Sequence, residues 1–289
     1  MMTETFLLFR AAMEAVFGSL ESLPVGDGRI HRFQVPGDRP GSRNGWYLLH
    51  ADARPAGCFG SWKTGGYHSW SGARRDVVIR HKWSGERQAA LRPAPELERR
   101  QRNAMRYAQW LWVNATPADP GHPYLLSKRV QPYGLRQRDQ HLLVPLIYEG
   151  RLLNLQHIAP DGAKRFLKGG RVQGCHALLG TLGAGARLYL CEGWATGATL
   201  HAATGCPVAC AMNAGNLLAA GRQLWQEYPD CELVVAGDDD RLTPGNPGCS
   251  AATEAAVALG CGLIFPPWSG EEPLSLTDFN DLAVWRAQS

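Results

Sequence analysis

The residues best suited to chemistry are carboxylates that directly follow short apolar runs. Glu192 follows the run 188–191, and Asp238 and Asp240 follow the run 233–236. Each run is apolar and bounded by glycine, which is typical of a buried strand in a parallel sheet. Because ligands of open α/β sheets bind outside the carboxyl ends of the strands, we expect these three side chains to form one acidic cluster.

An acidic cluster of this kind suits a divalent cation. Carboxylate oxygens are the hard ligands that Mg²⁺ and Mn²⁺ prefer, and both ions bridge to the phosphates of a substrate. Repulsion between the carboxylates is unfavourable until such a cation binds. The spacing Asp238-x-Asp240 allows two carboxylates to share one or two metals. The chemistry that this arrangement supports is phosphoryl or nucleotidyl transfer.

The sequence between the two apolar runs predicts the elements that position the carboxylates. Helix-length stretches cover 195–203 and 217–228, and a further apolar run covers 208–212. The resulting order, β-α-β-α-β, predicts an α/β fold with a parallel, Rossmann-like sheet flanked by helices. Asn213 and Asn216 follow the middle run, so we expect both to line the same pocket.

The motifs around these residues resemble those of a known family. Glu192-Gly193 after a strand, and Asp238-x-Asp240 after a later one, look like the Toprim domain shared by bacterial-type primases, topoisomerases and some nucleases. Thr243 departs from the commonest pattern, since a glycine usually stands there and here comes two residues later. Three longer strings are similar to Toprim primases of plasmids, phages and integrating elements, namely 192–198, 213–216 and 238–248.

The resemblance covers about 120–285 and implies roles for the carboxylates. Asp238 and Asp240 are implied to ligate metal, and Glu192 to ligate metal or act as general base. Asp278 begins a stretch, Asp-Phe-Asn-Asp-Leu, that related primases share, so it is implied to approach the metal site. The alternative is that Asp278 is an ordinary acid at a helix N-terminus, with Thr277 as the helix cap.

Basic residues precede the acidic strands. The net charge is only +4, but 71–138 is rich in Arg and Lys while the acids concentrate after 190. This asymmetry suits a bound polyanion, although a solvated surface is the alternative. The segment from His122 resembles the basic subdomain that precedes Toprim in bacterial-type primases. Its expected nucleotide or template contacts, together with one residue after the acidic motif, are Lys128, Arg129, Lys164, Arg165, Lys168 and Arg241.

The N-terminal region predicts a helix over 3–18 and then a small antiparallel sheet within 26–72. Bacterial-type primases usually carry a zinc ribbon in this position. Only one cysteine precedes residue 175, so no zinc site is expected. The aromatic residues either form the core of this sheet or stack single-stranded bases. The residues expected to be exposed for such contacts are Trp62, Lys63, Trp70, Arg74 and Arg75.

A further helix is predicted over 94–115, basic on one side and apolar on the other. It is either a linker helix or a helix that faces nucleic acid. The predicted divisions of the chain are therefore an N-terminal helix with a β module (1–90), a linker helix (91–120), a mixed α+β basic subdomain (121–180) and a Toprim domain (181–289).

Composition restricts the compartment. The eight cysteines include no Cys-x-x-Cys pair, and no apolar run approaches 18 residues. We therefore expect a cytoplasmic protein with reduced thiols, no signal peptide and no membrane span.

The resemblance implies a DNA primase that uses Mg²⁺ or Mn²⁺ to make short RNA primers on single-stranded DNA from nucleoside triphosphates. No Walker A motif is present, so unwinding is expected from a separate helicase or replication protein. A Toprim nuclease using the same carboxylates is an alternative from another class. A catalytically weak, nucleic-acid-binding accessory protein is a third. A topoisomerase is less favoured, because no separate tyrosine-bearing or ATPase domain is expected in this length.

Overall fold

The computed structural model describes residues 2–51, 55–61, 63, 67–72, 74–80 and 95–288. The chain divides into two compact units, Met1–Ala90 and Leu91–Ser289. Each unit has its own hydrophobic core.

The first unit packs one helix, α1 (Met2–Phe17), on a five-stranded antiparallel sheet whose strands follow chain order. Phe9 and Met13 of α1 are buried against Tyr47, Phe59 and Trp70 of the sheet. The predicted N-terminal helix and small antiparallel sheet are thus confirmed. The strands are β1 (Asp27–Phe33), β2 (Gly45–His50), β3 (Ala56–Ser61), β4 (Tyr67–Ser71) and β5 (Arg74–Arg80).

The expected base-stacking set of this unit requires correction. Trp70 is 7% exposed and its ring lies 5.2 Å from the ring of Phe9, so the expectation that it is exposed is wrong. Lys63 is exposed, and its ammonium group forms an ion pair with Asp38 at 2.6 Å. The rest of the set, Trp62 and the side chains of Arg74 and Arg75, lies outside the described residues.

The second unit begins with α2 (Pro95–Val113) and contains two five-stranded sheets. The first of these, here called the basic sheet, is antiparallel with the order β10-β9-β8-β7-β6. A short helix, α3 (Pro123–Lys128), lies between its first two strands in the chain. The strands are β6 (Thr116–Pro117), β7 (Arg136–Arg138), β8 (His141–Tyr148), β9 (Arg151–Ile158) and β10 (Lys164–Phe166).

The second sheet of this unit, here called the parallel sheet, has the order β11-β13-β12-β14-β15. Its edge strand β11 is antiparallel to β13, and the other strands run parallel. The strands are β11 (Ala177–Leu179), β12 (Arg187–Cys191), β13 (Val208–Cys210), β14 (Glu232–Ala236) and β15 (Gly262–Ile264). The helices are α4 (Trp194–Thr204), α5 (Leu217–Glu227), α6 (Pro247–Leu259) and α7 (Phe279–Arg286). The predicted β-α-β-α-β order is therefore confirmed.

Alternating side chains of β8 join the two sheets and α2 into one packed unit. Leu143 faces α2, where it packs with Ala108 and Leu111. Leu142, Val144 and Leu146 face the other way, into a core shared with the parallel sheet. A bridge between Ile147 and His176, with backbone N···O distances of 2.8 and 3.0 Å, also connects the sheets. The basic sheet is thereby held rigidly against the parallel sheet.

Two further observations concern the cysteines and the search for membrane-spanning helices. All eight cysteines are free thiols. Within the described residues, no helix is long and apolar enough to cross a membrane.

Candidate active site

The acidic residues follow two neighbouring strands of the parallel sheet. The strand β12 lies between β13 and β14, and Cys191 is paired in register with Ala236. Glu192 and Asp238 therefore extend from the same edge of the sheet, one and two residues beyond this pair. Asp278 joins them from the N-terminus of α7, where its carboxylate accepts a hydrogen bond from Thr196 Oγ1 on α4 at 3.0 Å.

The N-terminus of α7 differs in one detail from the sequence prediction. The cap is Asp278, whose carboxylate accepts a hydrogen bond from the backbone N–H of Asp281 at 2.7 Å. Thr277, the predicted cap, instead accepts a backbone hydrogen bond from the N–H of Asp239 at 2.7 Å. This contact fixes the α7 terminus beside the loop that carries Asp238 and Asp240.

The start of α6 holds Asp240 in place. The backbone N–H of Gly248 donates to Asp240 Oδ2 at 2.8 Å, close to the positive end of the helix dipole. A Cβ atom on residue 248 would lie 2.9 Å from that oxygen and 3.0 Å from the carbonyl oxygen of Asp238. A side chain at position 248 would therefore displace the carboxylate of Asp240.

Asn246 organises the same loop from the N-cap position of α6. Its side-chain oxygen accepts hydrogen bonds from the backbone N–H groups of Asp240 at 2.7 Å and Cys249 at 3.2 Å. Its amide nitrogen donates to the carboxylate of Asp239, which also accepts from Trp268 Nε1 at 2.9 Å. Asp239 is thus engaged within the loop, which leaves Asp238 and Asp240 as the carboxylates of the sheet edge.

The loop closes without the glycine that Toprim sequences usually place after the acidic motif. The backbone N–H of Thr243 donates to the carbonyl oxygen of Asp240 at 2.8 Å, which completes a turn. The positive φ angles of the loop fall on Gly245, at +81°, and on Asn246, at +43°. The loop therefore closes with threonine at the position where glycine is usual, and Asp238 and Asp240 still follow β14.

Asp238 has the most unfavourable environment of the cluster. Its Oδ1 atom is buried and has no hydrogen-bond partner among the described residues. Burial, followed by repulsion from Asp278, Glu192 and Asp240, raises the pKa of Asp238 to about 8. Burial also raises the pKa values of Glu192 and Asp278. The cluster therefore resists full ionisation unless positive charge is supplied.

Two lysines supply part of this charge. Lys128 forms an ion pair with Asp281 at 3.2 Å, and its charge lowers the pKa of the adjacent Asp278 in part. The ammonium nitrogen of Lys164 lies 5.7 Å from the ring centroid of Tyr124. Although Lys164 as a residue is exposed, burial around its ammonium group, with repulsion from Lys128, lowers its pKa. Asp278, Glu192 and Asp238 oppose this shift, which places Lys164 in the field of the carboxylates.

The donor set fits a divalent cation in its chemistry. The unpartnered oxygen of Asp238 and the mutually repelling carboxylates are groups that Mg²⁺ or Mn²⁺ would neutralise. In the part of the chain that the structure describes, no three His, Cys, Asp or Glu side chains are already arranged to hold a metal ion. Cation binding would therefore require the carboxylates to close around the ion.

Comparison with known proteins agrees with this geometry. Residues 187–288, which contain all four carboxylates of the cluster, match the Toprim domain family. The chain carries a Toprim domain.

Two curated relatives extend the similarity beyond the Toprim domain. Both are named DNA primase TraC and come from Escherichia coli. One is 36% identical over 261 residues, which cover 84% of this chain and 24% of the relative. The other is 32% identical over 263 residues, which cover 86% of this chain and 18% of the relative. The predicted resemblance to Toprim primases is thus confirmed, and the chain spans about a quarter or less of each relative.

Two solved structures show a more distant likeness. The DnaG primase catalytic domain bound to ssDNA matches with a TM-score of 0.45 and 12% identity, over 65% of this chain and 76% of that chain. The DnaG catalytic core matches with a TM-score of 0.41 and 13% identity, over 66% and 76%. These values are too low for a comparison of individual residues.

Other expected contact residues are engaged within the protein, and for these the prediction needs correction. Asn216 is buried, and its amide bonds to Gly174 N, Cys175 O and Ala211 O at 2.7 to 2.9 Å. It therefore positions the chain next to the Toprim site and is not open to a nucleotide. Asn213, by contrast, is partly exposed at the end of β13.

Arg241 and Arg129 are likewise used to hold neighbouring segments. Arg241 donates to the carbonyl oxygens of Pro273 at 2.7 Å and Leu276 at 3.1 Å, and its guanidinium carbon lies 3.9 Å from the ring centroid of Trp268. These contacts occupy Arg241 within the loop that precedes α7. Arg129 donates to the carbonyl oxygen of Ala287 at 3.1 Å, beyond the end of α7.

Arg165 and Lys168 are exposed, but their position differs from that of Lys164. Side chains alternate along β10, so Arg165 points away from the side on which Lys164 lies. Lys168 follows the strand on the surface. Of the basic residues predicted for the site, Lys128 and Lys164 are the two that the structure brings to the carboxylates.

Sequence reasoning missed three residues that shape the Toprim site. Asn246 and Gly248 were included in a matching string without a role, although Asn before Pro247 is a typical N-cap signature. Tyr124 is 3% exposed, and its hydroxyl oxygen is buried without a hydrogen-bond partner among the described residues. Burial and the charge of Asp278 raise its pKa. No pattern in a single sequence identifies such a buried phenol.

Proposed function

We propose that this chain is the catalytic part of a DNA primase, which makes short RNA primers on single-stranded DNA from nucleoside triphosphates. The observation that carries the proposal is the carboxylate cluster at the edge of the Toprim sheet, where Asp238 has a buried, unpartnered oxygen. The facing cations, Lys128 and Lys164, fit a substrate that carries phosphates. Similarity to DNA primase TraC over 84% of the chain supports the same reaction.

In this proposal the carboxylates would hold Mg²⁺ or Mn²⁺, with Asp238 and Asp240 as principal ligands and Glu192 and Asp278 beside them. When bound, the cations would lower the pKa of the primer 3′-hydroxyl and stabilise the triphosphate of the incoming nucleotide. The backbone N–H of Gly248 holds one oxygen of Asp240 and leaves the other for ligation. Both oxygens of Asp278 accept hydrogen bonds, one from Thr196 and one from the N–H of Asp281, so Asp278 is the more firmly positioned of the two carboxylates.

Two lysines, Glu192 and Asn213 would act directly on the nucleotide and the primer. Lys164 and Lys128 would bind the triphosphate and offset its charge near the carboxylates. Because burial raises the pKa of Glu192, this carboxylate is also suited to accept the proton of the 3′-hydroxyl as the new phosphodiester bond forms. Asn213, at the end of β13, would contact the nucleotide from the neighbouring strand.

The context of the reaction is part of the same proposal. A separate helicase or replication protein would supply single-stranded template, and the reaction would serve the replication of a mobile element or phage. Support for the mobile element or phage comes from the resemblance of the sequence to primases of such elements.

The decisive experiment measures incorporation of labelled nucleotides on single-stranded DNA of mixed sequence with Mg²⁺ or Mn²⁺. Short products are expected from the wild type and are expected to be lost in Asp238→Ala. Asp230→Ala is the matched control, because Asp230 is an exposed aspartate before the opposite end of the same strand, β14. This control should keep wild-type activity.

Other results would replace the proposal. Metal-dependent degradation of the DNA, lost in Asp238→Ala and kept in Asp230→Ala, would establish a Toprim nuclease. DNA binding without either product, with helicase and other replication proteins also supplied, would leave a nucleic-acid-binding accessory protein.

A further inference from the structure

One flank of α2, beside strand β7 of the basic sheet, carries two exposed aromatic rings. Ala104, Ala108 and Leu111 are buried, with the last two packed on the sheet. Beside this buried face, Tyr107 is 53% exposed and Trp110 is 49% exposed. Solvent-exposed large aromatic side chains carry an unfavourable hydration cost, so a pair of them indicates a binding surface.

The two rings are stacked. The rings of Tyr107 and Trp110 lie in nearly parallel planes, 12° apart, with centroids separated by 5.9 Å. The guanidinium carbon of Arg138, on β7, lies 4.6 Å from the centroid of the Trp110 ring. These three residues, here called the aromatic platform, form a series of flat groups that a further planar ring can extend.

Hydrogen bonds fix the platform to the basic sheet. Arg136 lies on β7, two residues before Arg138. It donates hydrogen bonds to carbonyl oxygens at and just after the end of α2, those of Trp112, Val113 and Ala115. Gln109 of α2 donates to the carbonyl oxygen of Leu152 at 3.2 Å, on β9, which lies two strands away from β7 in the sheet. A ligand would therefore meet a preorganised surface and would lose little free energy in ordering it.

The charge beside the platform is positive. Arg99 and Arg106 lie on the same side of α2 as Trp110 at 100° per residue, and neither forms an ion pair with a described residue. The acids of this helix are already engaged, since Glu96 pairs with Arg100 and Glu98 pairs with Arg102. Unpaired cations along a row of stacked rings are complementary to unpaired bases linked by phosphates.

The geometry points to single-stranded DNA as the ligand of this surface: we propose that its bases stack on Tyr107 and Trp110 while Arg99 and Arg106 contact its phosphates. This inference deepens the proposed primase function and rests on it for the choice of DNA. The platform lies on the face of the basic sheet opposite to the one packed on the parallel sheet, so it is separate from the carboxylates. It would hold template that has left, or has yet to reach, the Toprim site.

A protein partner is the competing occupant, since Tyr, Trp and Arg are also enriched where proteins bind one another. The unpaired arginines and the near-parallel rings favour nucleic acid, because cations beside stacked rings match the phosphates and bases of a single strand. The experiment therefore includes a test for association between protein molecules.

The test measures binding of a fluorescent oligothymidylate to the full chain by anisotropy, in EDTA so that no reaction occurs. Trp110→Leu is expected to weaken binding about 5-fold or more, because stacking contributes about 1–3 kcal/mol per base. Trp110→Phe keeps an aromatic ring and should retain most of the affinity. Arg106→Gln should weaken binding and reduce the salt dependence by the equivalent of about one phosphate contact.

Trp225→Leu is the matched control, because Trp225 is 42% exposed on another helix, α5. It should bind as the wild type does. Wild-type binding by Trp110→Leu, or equal loss in Trp110→Leu and Trp110→Phe at unchanged melting temperature, would overturn the proposal. A change in sedimentation mass caused by Trp110→Leu would identify a protein interface, and tighter binding of oligouridylate than of oligothymidylate would identify RNA as the ligand.

The test of the aromatic platform can fail or succeed independently of the test of the primase reaction. If the platform variants behave as expected but no nucleotide is incorporated, the DNA-binding surface stands and the primase reaction fails. If primers are made and Trp110→Leu requires no more template than the wild type for half-maximal rate, the platform proposal fails and the primase stands.

Discussion

Asp238 is the residue at which the electrostatic cost of the Toprim site is concentrated. Its carboxylate is buried, one oxygen has no partner among the described residues, and Asp278 and Glu192 repel its charge. A buried charge without compensation destabilises the folded state. The acidic cluster therefore destabilises the folded state in the absence of a cation, and a divalent ion that binds the cluster would stabilise the folded state.

The raised pKa of Asp238 predicts how stability depends on pH in EDTA. Between pH 4 and pH 8 the folded protein binds more protons at this residue than the unfolded chain, whose carboxyl titrates near 3.8. The free energy of unfolding should therefore fall as pH rises through this window. Asp238→Asn removes this titration, so its melting temperature minus that of the wild type should increase from pH 5 to pH 8.

The size of this change follows from the same pKa. The rise from 3.8 to about 8 gives an upper limit of several kcal/mol, at about 1.4 kcal/mol per pKa unit. In a unit of this size, each kcal/mol shifts the melting temperature by about 2–4 °C. Thermal melts at both pH values, with Asp230→Asn as the exposed control, check this. If the difference in melting temperature between Asp238→Asn and the wild type does not change with pH, the pKa of Asp238 is not raised in the folded protein.

At the scale of elements, the loop between β14 and α6 sets the geometry of the acidic motif. Asn246 accepts hydrogen bonds from Asp240 N–H and Cys249 N–H, and so serves both as loop anchor and as helix cap. Its φ of 43° lies in the left-handed region, which glycine adopts without strain. Asn246 therefore stabilises the folded state as a helix cap and also positions Asp240. Different substitutions at position 246 can separate these two effects.

Asn246→Ala and Asn246→Gly should differ in stability and agree in function. Alanine loses the cap and is strained at positive φ, which should destabilise by about 1–3 kcal/mol. Glycine avoids the strain and is tolerated as a cap, so it should cost about 1 kcal/mol or less. Both lose the hydrogen bond to Asp240, so both should need more Mg²⁺ for half-maximal nucleotide incorporation.

Thermal melts and Mg²⁺ titrations of the two variants measure these effects. If Asn246→Gly has the Mg²⁺ requirement of the wild type, the side chain does not position Asp240.

The elements of this site were predictable from sequence to different degrees. The strands β12 and β14 were predictable because apolar runs ending in glycine and acids have few other interpretations. The role of Arg241 was not, because a basic residue beside an acidic motif fits a phosphate contact equally well. Its actual partners, the carbonyl oxygens of Pro273 and Leu276, are more than thirty residues away. Long-range hydrogen bonds of this kind leave no local pattern.

The same limit explains Trp70 and Asn216. Side chains of a strand alternate between faces, so a shift of one residue in register exchanges buried and exposed positions. The presence of a small sheet was therefore predictable, and the burial of Trp70 against Phe9 was not. Asn216 follows a strand of the Toprim sheet, as a pocket residue would, but its amide is used by three backbone groups of the protein.

At the scale of the molecule, the chain consists of two units with separate cores. Phe9, which has no exposed surface, is central to the core of the first unit, and its ring contacts those of Phe59 and Trp70. The carboxylates and their supporting residues all belong to the second unit. A core of its own gives each unit the means to unfold as a separate cooperative transition.

Calorimetry of the full chain should therefore show two transitions that respond to different changes. Phe9→Ala should lower the transition of the first unit, since loss of a fully buried phenylalanine costs about 3–5 kcal/mol. Mg²⁺ should raise the transition of the second unit, because binding to the folded carboxylate cluster alone stabilises it by mass action. Asp238→Ala should abolish the shift caused by Mg²⁺ and leave the first unit's transition unchanged. A single transition that moves with both Phe9→Ala and Mg²⁺ would instead show that the two units unfold together, and the stability of the Toprim site would then depend on the N-terminal core.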